Sequence, residues 1–163
     1  MKPFLLGPCR VRPWQPKDRQ RVATLINQVL TEHGLGWDPL EADLDVIEVE
    51  KYYQQGQFWI LEHADSLVGT GAYYARSPKI VEIRKMYFVP SIRGLGLGKR
   101  LLKALEQDAY QRGYEEAWIE TSTLLTRAIM LYEGAGYERV LESPEVARCD
   151  RVYRKKLMIK TAL

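Results

Sequence analysis

Apolar residues along the chain follow two spacings, one typical of amphipathic helices and the other typical of strands. Helical spacing, with apolar residues three and four positions apart, is clearest in two segments. The first contains Val22, Leu25, Ile26, Val29 and Leu30, and the second contains Leu101, Leu102, Leu105 and Ala109. Gly34 and Gly113 follow these segments as typical helix ends. Each pattern therefore predicts a helix that packs one face against a core.

A further helix is predicted over about residues 39 to 55, with Leu40, Leu44 and Ile47 facing inward. Its opposite face is acidic and comprises Glu41, Asp43, Asp45, Glu48 and Glu50. A run of like charge on one helix face is most simply a solvated surface. It could also line the rim of a pocket that attracts a cationic substrate, and the sequence leaves both interpretations open.

Strand-like segments, rich in β-branched and aromatic residues, occupy most of the remaining chain. They read CRVRP, QFWILEH, LVGTGAYYA, KIVEIRKMYFV, EEAWIET, YERVLE and VARCDRVYRKKL. HADSL is the predicted hairpin turn between the second and the third, and LTRAIMLYEGA is a short helix before the last two. This order predicts an α/β (α+β) fold, in which a mixed sheet of about seven strands is flanked on both faces by about four helices.

Composition and charge narrow the class of protein. Of the 163 residues, 46% are hydrophobic and 28% are charged, which is typical of one soluble globular domain. The net charge of +3 and the scattered basic residues argue against a nucleic-acid partner. The start MKPFLLGPC is too short for a signal peptide, and no apolar run reaches membrane-spanning length. We therefore expect no membrane partner and a cytoplasmic location.

Cysteines and histidines give no indication of a metal site. Cys9 and Cys149 lie far apart in sequence and form no CxxC pair. His33 and His63 have no ligand residues around them at metal-binding spacing. We therefore expect two free thiols and no metal.

The segment RGLGLGKRLL, residues 93–102, joins a predicted strand to the start of a predicted helix. It matches neither the dinucleotide-binding pattern GxGxxG nor the phosphate-binding loop GxxxxGK[ST]. A glycine loop at a helix start nevertheless leaves backbone N–H groups free, and such a place favours phosphate. The alternative is a tight turn that binds no ligand.

Two motifs of the sequence occur together at a characteristic separation. RGLGLG matches the pattern R/Q-x-x-G-x-G/A through Arg93, Gly96 and Gly98, and AIMLYEGAGY matches A-x-x-L-Y-x-x-x-G-F/Y from Ala128 onward. With the surrounding order of elements, they resemble the GNAT acetyltransferase superfamily over nearly the whole chain. The resemblance implies a single N-acetyltransferase domain over residues 1–163 with a mostly antiparallel sheet. It also implies acetyl-CoA as donor and a primary amine of a small molecule, peptide or protein as acceptor, and it is compatible with a homodimer.

The resemblance also implies which residues contact the donor. The backbone of Met86, Tyr87 and Phe88 would run beside the pantetheine and thioester. The pyrophosphate would be held by N–H groups of Arg93, Gly94, Leu95, Gly96, Leu97, Gly98 and Lys99. One position departs from the family pattern, because Leu125 stands where many members carry a cofactor-contacting asparagine. Thr126, the next residue, is the candidate substitute.

Acetyl transfer to an amine requires removal of a proton from the amine and benefits from protonation of the leaving thiolate. Tyr132 stands where the family places its general acid. The base is Glu82, at the place used by histone-type members, or Glu120, at the place used by ribosomal-protein N-terminal acetyltransferases, or water relayed from bulk solvent. Trp37 lies in the link that lines the acceptor site in this family. The rival interpretation is a non-catalytic acyl-CoA-binding module that senses the donor.

Overall fold

The computed structural model describes residues 1–158, in which eight strands form one sheet. The strands are β1 (Phe4–Leu6), β2 (Cys9–Pro13), β3 (Gln57–His63), β4 (Ser66–Ala75), β5 (Ile80–Phe88), β6 (Glu116–Thr121), β7 (Glu138–Val140) and β8 (Arg151–Lys156). The helices are α1 (Arg19–Glu32), α2 (Leu44–Ile47), α3 (Val49–Tyr52), α4 (Leu97–Gln111) and α5 (Thr126–Gly134). The last five residues of the predicted domain, 159–163, lie outside the described residues.

The strand order across the sheet is β1-β2-β3-β4-β5-β6-β8-β7. Every neighbouring pair is antiparallel except β5 and β6, which run parallel and are connected through α4. The hairpin predicted at HADSL is present, with Ala64 and Asp65 at positive φ between β3 and β4. The predicted α/β fold with a mixed, mostly antiparallel sheet is therefore confirmed.

Strand β3 shows why the sheet is covered on both faces. Its four central residues are all buried, and successive side chains of a strand point to opposite faces. Phe58 and Ile60 pack with the apolar face of α1, whereas Trp59 and Leu61 pack with that of α4. The continuous apolar run FWIL is thus the signature of a strand with a helix layer on each side.

A β-bulge interrupts the pairing of β4 with β5. Between the pairs Thr70–Tyr87 and Ala72–Arg84, two residues of β5 oppose one residue of β4. The first of the two, Lys85, has φ 54°, and its carbonyl oxygen accepts a hydrogen bond from Thr70 Oγ1 at 2.6 Å. The bulge re-aims the side chains of β5 midway along the strand.

The helix predicted over residues 39–55 is wrong in extent. Only the short helices α2 and α3 form there, and Leu40, predicted to face inward, is 82% exposed. Asp43 and Asp45, predicted on a solvated face, are buried. The reason is electrostatic, since both carboxylates form ion pairs with Lys85 of the bulge. Paired charges can occupy the interior when their partners are buried with them.

The sheet also has one strand more than the predicted number. Phe4–Leu6 forms β1, which pairs antiparallel with β2 at the edge of the sheet. A segment of three residues is too short for its apolar pattern to be recognised as a strand. The segments YERVLE and VARCDRVYRKKL contain strands β7 and β8, each shorter than the predicted segment.

Candidate active site

A cleft opens where β5 and β6 separate. The two strands pair at only three positions, Ile80–Glu116, Val81–Ala117 and Glu82–Trp118. Beyond Glu82 they share no further pairs, and a cavity of about 780 Å³ lies between them, α4 and α5. The side of β5 that faces β6 therefore has no strand partner along the cleft.

This cleft brings together almost all of the predicted site residues. Those lining it are Glu82, Met86, Tyr87, Phe88, Arg93, Gly94, Gly96, Leu97, Gly98, Lys99, Glu120 and Tyr132. Leu95 does not line the cleft, and its side chain is 55% exposed. Residues from the end of β5, the start of α4, the end of β6 and α5 thus share one cavity.

The glycine loop presents a run of unpaired backbone donors. Gly94 and Gly96 have φ values of +83° and +69°, a region that glycine adopts without the cost that a side chain adds. The Arg93 N–H is bonded to Pro90 O, and the next bonded N–H is that of Arg100, to Gly96 O. Among the described residues, no acceptor meets the N–H groups from Gly94 to Lys99. Successive N–H groups at a helix N-terminus form a binding place for an anion.

The two basic side chains of the loop differ in their roles. Arg93 donates through Nε to Phe88 O at 2.8 Å, and its Nη1 lies 2.7 Å from a Glu32 carboxylate oxygen. It therefore ties α1 to the end of β5. Lys99, in the first turn of α4, is exposed, so its charge is available at the helix N-terminus.

Glu82 is a buried carboxylate with few hydrogen bonds. Its side chain is 2% exposed, and Tyr74 Oη donates to its Oε2 at 3.0 Å. Arg76 and Arg84 each approach it to 3.5 Å. Burial raises the pKa of Glu82, the charge of Arg84 opposes this rise, and the charge of Glu120 adds to it. A carboxylate with a raised pKa, one of whose oxygens has no short hydrogen bond, is suited to accept a proton.

Glu120 is also in the cleft, but its oxygens are occupied. Oε1 and Oε2 both lie 3.0 Å from the Glu145 N–H, and Oε2 accepts a further bond from the Val146 N–H at 3.0 Å. These bonds attach the segment 141–150, which joins β7 to β8, to the end of β6. The geometry makes Glu120 an anchor for that segment.

Tyr132 extends from α5 into the cleft. Its side chain is buried and its ring packs edge-on against Tyr137, while its hydroxyl has no hydrogen-bond partner among the described residues. Burial raises the pKa of Tyr132, and the nearby Tyr87 and Cys149 add to the rise. The hydroxyl is therefore protonated at neutral pH and free to donate to a ligand.

The position that departs from the family pattern also borders the cleft. Leu125 precedes α5 and lines the cavity together with Arg127, whereas Thr126 is exposed and does not line it. Thr126, the candidate substitute for the usual asparagine, therefore does not occupy that place. The hydroxyl residues that border the cavity nearby are Thr121 and Ser122.

A second cavity of about 450 Å³ adjoins the first. The two share the lining residues Glu82, Arg84, Val146 and Arg148. Trp37 lines the second cavity, in the region where the sequence placed an acceptor site. Glu82 therefore stands at the junction of two cavities.

Two residues of the cleft were not singled out as site residues from the sequence. Arg148 forms two hydrogen bonds to the Asp43 carboxylate, at 2.6 and 2.7 Å, and lines both cavities. Cys149 lines the larger cavity, where burial and the charge of Glu120 raise the pKa of its thiol to about 11. Both lie on an irregular segment, where no periodic pattern signals which side chains point inward. Cys9, in contrast, is in the core, and both cysteines are free.

None of the helices within residues 1–158 combines the length and the apolar character that a membrane span requires. No group of three or more His, Cys, Asp or Glu side chains there is arranged to hold a metal ion.

Comparison with solved structures defines the class of fold. An acetyltransferase of the GNAT family from Staphylococcus aureus Mu50 superimposes with a TM-score of 0.85 at 19% identity, covering 92% of this chain and 99% of that chain. The Salmonella typhimurium protein yncA, solved with its cofactor acetyl-CoA, superimposes with a TM-score of 0.71 at 16% identity, covering 96% and 98%. The fold is that of the acetyltransferases.

Sequence comparison then gives the family. The model of the acetyltransferase (GNAT) family matches residues 23–137. The uncharacterized N-acetyltransferase YjgM of Escherichia coli K12 is 37% identical over 133 residues, which cover 76% of this chain and 78% of the relative. The chain belongs to the GNAT acetyltransferase family, as the two sequence motifs had indicated.

Proposed function

We propose that the protein is an acetyl-CoA-dependent N-acetyltransferase, in which a primary amine attacks the thioester directly through a tetrahedral intermediate. The observation that carries the proposal is the cleft itself. It has unpaired N–H groups at the start of α4 and a buried carboxylate, Glu82, beside β5. Membership of the GNAT family and the fold shared with yncA support acetyl-CoA as the donor.

The run of N–H groups from Gly94 to Lys99 fits a pyrophosphate. Phosphate oxygens accept several hydrogen bonds at once, and the helix dipole adds favourable electrostatic potential at this point. Along the cleft, the unpaired side of β5 at Met86, Tyr87 and Phe88 offers peptide groups to the pantetheine. Acetyl-CoA supplies an acyl group on a good leaving group, and the chain supplies binding, proton transfer and a donor for the developing oxyanion.

Charge inversion at Lys99 tests the pyrophosphate site. Lys99→Glu is expected to weaken CoA binding by about tenfold, because it places a negative charge beside the phosphates. The matched control is Lys103→Glu, one turn further along α4 and also exposed. Calorimetric titration with CoA at low and high salt is the measurement. The difference between the two variants should shrink at high salt.

A glutamate in the first turn of a helix does not lower the stability of that helix, so a loss of affinity in Lys99→Glu cannot be ascribed to unfolding. Equal CoA affinity in the two variants would place the phosphates elsewhere.

Glu82 and Tyr132 carry the proposed proton transfers. Glu82 accepts the amine proton at the junction of the two cavities, directly or through one water. Tyr132 donates its hydroxyl proton to the departing sulfur, and no hydrogen-bond partner among residues 1–158 competes for that donor. A backbone N–H of β5 near Phe88 stabilises the oxyanion. The acceptor enters from the cavity beside Trp37.

Amine-dependent release of free thiol from acetyl-CoA is the direct test of the function. Purified protein is expected to release thiol with some members of a panel of primary amines and to show no comparable release without them. Tyr132→Phe is expected to lower kcat by about 10²-fold with an almost constant KM for acetyl-CoA, because the donated bond forms only in the transition state. The stability of the variant should hardly change, since the hydroxyl has no hydrogen bond to lose within the described part of the chain.

The non-catalytic interpretation predicts a different result. A sensor module binds CoA with the same loop but releases no thiol with any amine of the panel. Leu125, at the usual asparagine position, is the feature that favours this alternative. Unchanged kcat in Tyr132→Phe, with chemistry shown to be rate-limiting, would assign Tyr132 a packing role only.

A further inference from the structure

Arg84 differs from the other cations that surround the bulge. Lys85 Nζ lies 2.6 Å from Asp43 Oδ1, and Arg148 bonds the same carboxylate at 2.6 and 2.7 Å. The contacts of Arg84 are all longer, at 3.4 Å to Ala42 O, 3.5 Å to Glu82 and 3.6 Å to Asp45. A charge-assisted hydrogen bond of a guanidinium is normally about 2.7–2.9 Å. Within residues 1–158, the Arg84 guanidinium is therefore held in place without a short bond.

The position of Arg84 makes the hydrogen-bond donors of its guanidinium accessible to a ligand. Its side chain is 15% exposed, it lies over the ring of Tyr74, and it lines both cavities. Glu82 is two residues before it on β5, so the two side chains are on the same face of the strand. Arg84 Nε is 3.5 Å from Glu82 Oε1. A carboxylate and a guanidinium are thus presented side by side to the acceptor cavity.

We infer that the acceptor is an α-amino acid with an apolar side chain, whose carboxylate binds Arg84 while its amine is placed at Glu82. The inference rests on the proposed function and names its substrate class. An α-amino acid carries its amine and carboxylate on one carbon, which matches two complementary groups held next to each other. Trp37 supplies an apolar wall of the same cavity for the side chain.

The charges that line the cavity suit an ammonium group and leave one guanidinium for a carboxylate. The acidic lining residues outnumber the basic ones, with Asp38, Glu41, Glu82 and Glu145 against Arg84 and Arg148. Arg148 is engaged by Asp43 at 2.6 and 2.7 Å, so Arg84, whose contacts are longer, is the lining arginine left to bind the carboxylate of an α-amino acid.

The bound α-ammonium first loses one proton to bulk water by way of the Glu82 carboxylate. The neutral amine nitrogen then forms a bond to the thioester carbonyl carbon, and the carbon–sulfur bond of the resulting tetrahedral intermediate breaks. The nitrogen loses its second proton to the Glu82 carboxylate, and the sulfur takes a proton from the Tyr132 hydroxyl. Exchange with water restores both side chains, and the products are an N-acetylamino acid and free CoA.

Matched pairs of acceptors test the inference. Phenylalanine is compared with phenethylamine, which lacks only the carboxylate, and leucine with isopentylamine. For each pair, kcat/KM is expected to be higher for the amino acid by about 10- to 100-fold, the usual effect of a hydrogen bond to a charged group. Phenylalaninamide, which keeps the α-substituent without its charge, should react like phenethylamine.

Variants then assign this discrimination to Arg84. Arg84→Gln is expected to reduce the preference for phenylalanine over phenethylamine to near unity while phenethylamine remains a substrate. Arg112→Gln, an exposed arginine paired with Asp108 on α4, is the control and should keep the full preference. If Arg84→Gln does not fold, Arg84→Lys should fold and lower the preference, because it retains the charge without the planar fork.

The failure of this inference is distinguishable from failure of the proposed function. The inference would be overturned by thiol release with polyamines, peptide N-termini or phenethylamine but not with amino acids. That result would still support the proposed acetyltransferase activity. A preference for amino acids that survives in Arg84→Gln would also overturn it. Absence of thiol release with every amine would instead overturn the proposed function.

Discussion

Replacing Glu82 by glutamine is expected to lower kcat by about 10²–10⁴-fold, the usual range for loss of a general base. The substitution keeps the shape of the side chain and can still accept a hydrogen bond from Tyr74, so folding should be retained. What it removes is the ability to take up a proton. Steady-state thiol release with a saturating amine measures the effect.

The pH profile separates loss of a base from loss of structure. In the wild type, kcat/KM should rise as pH passes through the raised pKa of Glu82, because only the ionised carboxylate accepts a proton. In Glu82→Gln, the rise of kcat/KM that is due to ionisation of Glu82 should disappear. The remaining rise of kcat/KM should follow deprotonation of the amine alone. The defect of the variant should therefore become smaller at high pH, where more of the amine is already neutral.

Glu120→Gln is the matched control, since it makes the same chemical change in the same cleft. The structure gives Glu120 bonds to the N–H groups of Glu145 and Val146, so this variant should loosen the segment 141–150. Its pH profile should keep the rise of kcat/KM that is assigned to ionisation of Glu82. If Glu120→Gln loses this rise and Glu82→Gln keeps it, the base is Glu120. If both variants keep it, the proton leaves through bulk water.

The order of the helices and strands could be predicted because the apolar residues of most of these elements recur at a clear spacing. Segments with an apolar face, such as α1 and α4, and segments buried on both faces, such as β3, follow the patterns that packing imposes. The prediction for the region 39–55 is wrong because apolar spacing does not determine which residues are buried there. Leu40 is exposed and Asp43 is buried because the ion pairs of the bulge, rather than apolar area, determine the burial there.

The candidate site could be predicted where residues belong to a motif. The glycine loop and Tyr132 are parts of recognisable sequence patterns, and Glu82 is conspicuous as an acidic residue in an apolar strand. The sequence left Glu82 and Glu120 as alternatives because their hydrogen-bond partners come from distant segments. In the structure, Glu120 is bonded to residues 145 and 146, and these bonds could not be foreseen from either strand.

The charge cluster at the bulge could not be predicted at all. Lys85 reaches Asp43 only because β5 bulges at that point, with Lys85 at φ 54°, and a bulge has no fixed sequence signature. Arg148 joins the cluster from the segment between β7 and β8, 105 residues along the chain from Asp43. The acidic residues near α2 and the basic residues of β5 are therefore partners of each other, with Asp43 and Asp45 paired to Lys85 and Asp45 also near Arg84.

Loss of Asp43 is expected to be the most destabilising single change in this cluster. Asp43→Asn should lower the free energy of unfolding by about 3–5 kcal/mol, because Lys85 and Arg148 are left without the charge that compensates them. Urea denaturation at neutral pH measures the loss. Asp65→Asn is the control, since Asp65 lies exposed in the hairpin turn at a positive φ that asparagine also tolerates.

The pH dependence of this stabilisation has a definite sign. Burial alone would raise the pKa of Asp43, but the hydrogen bond from Arg148 and the charge of Lys85 outweigh burial and lower it to about 2. A carboxyl with a lowered pKa stabilises the fold above its ordinary pKa near 3.9, and that contribution is lost as pH falls through the folded value. The difference between wild type and Asp43→Asn should thus be full at pH 7 and shrink from about pH 4 downward.

A double variant shows whether the loss comes from the charge imbalance. Asp43→Asn leaves one unmatched positive charge, whereas Asp43→Asn combined with Arg148→Gln removes one charge of each sign. The double variant should lose clearly less stability than the sum of the two single variants, because directly bonded residues do not act independently. Additive losses, or a difference between wild type and Asp43→Asn that does not change between pH 7 and pH 3, would contradict the assignment of Asp43 as the buried counter-ion of Arg148 and Lys85.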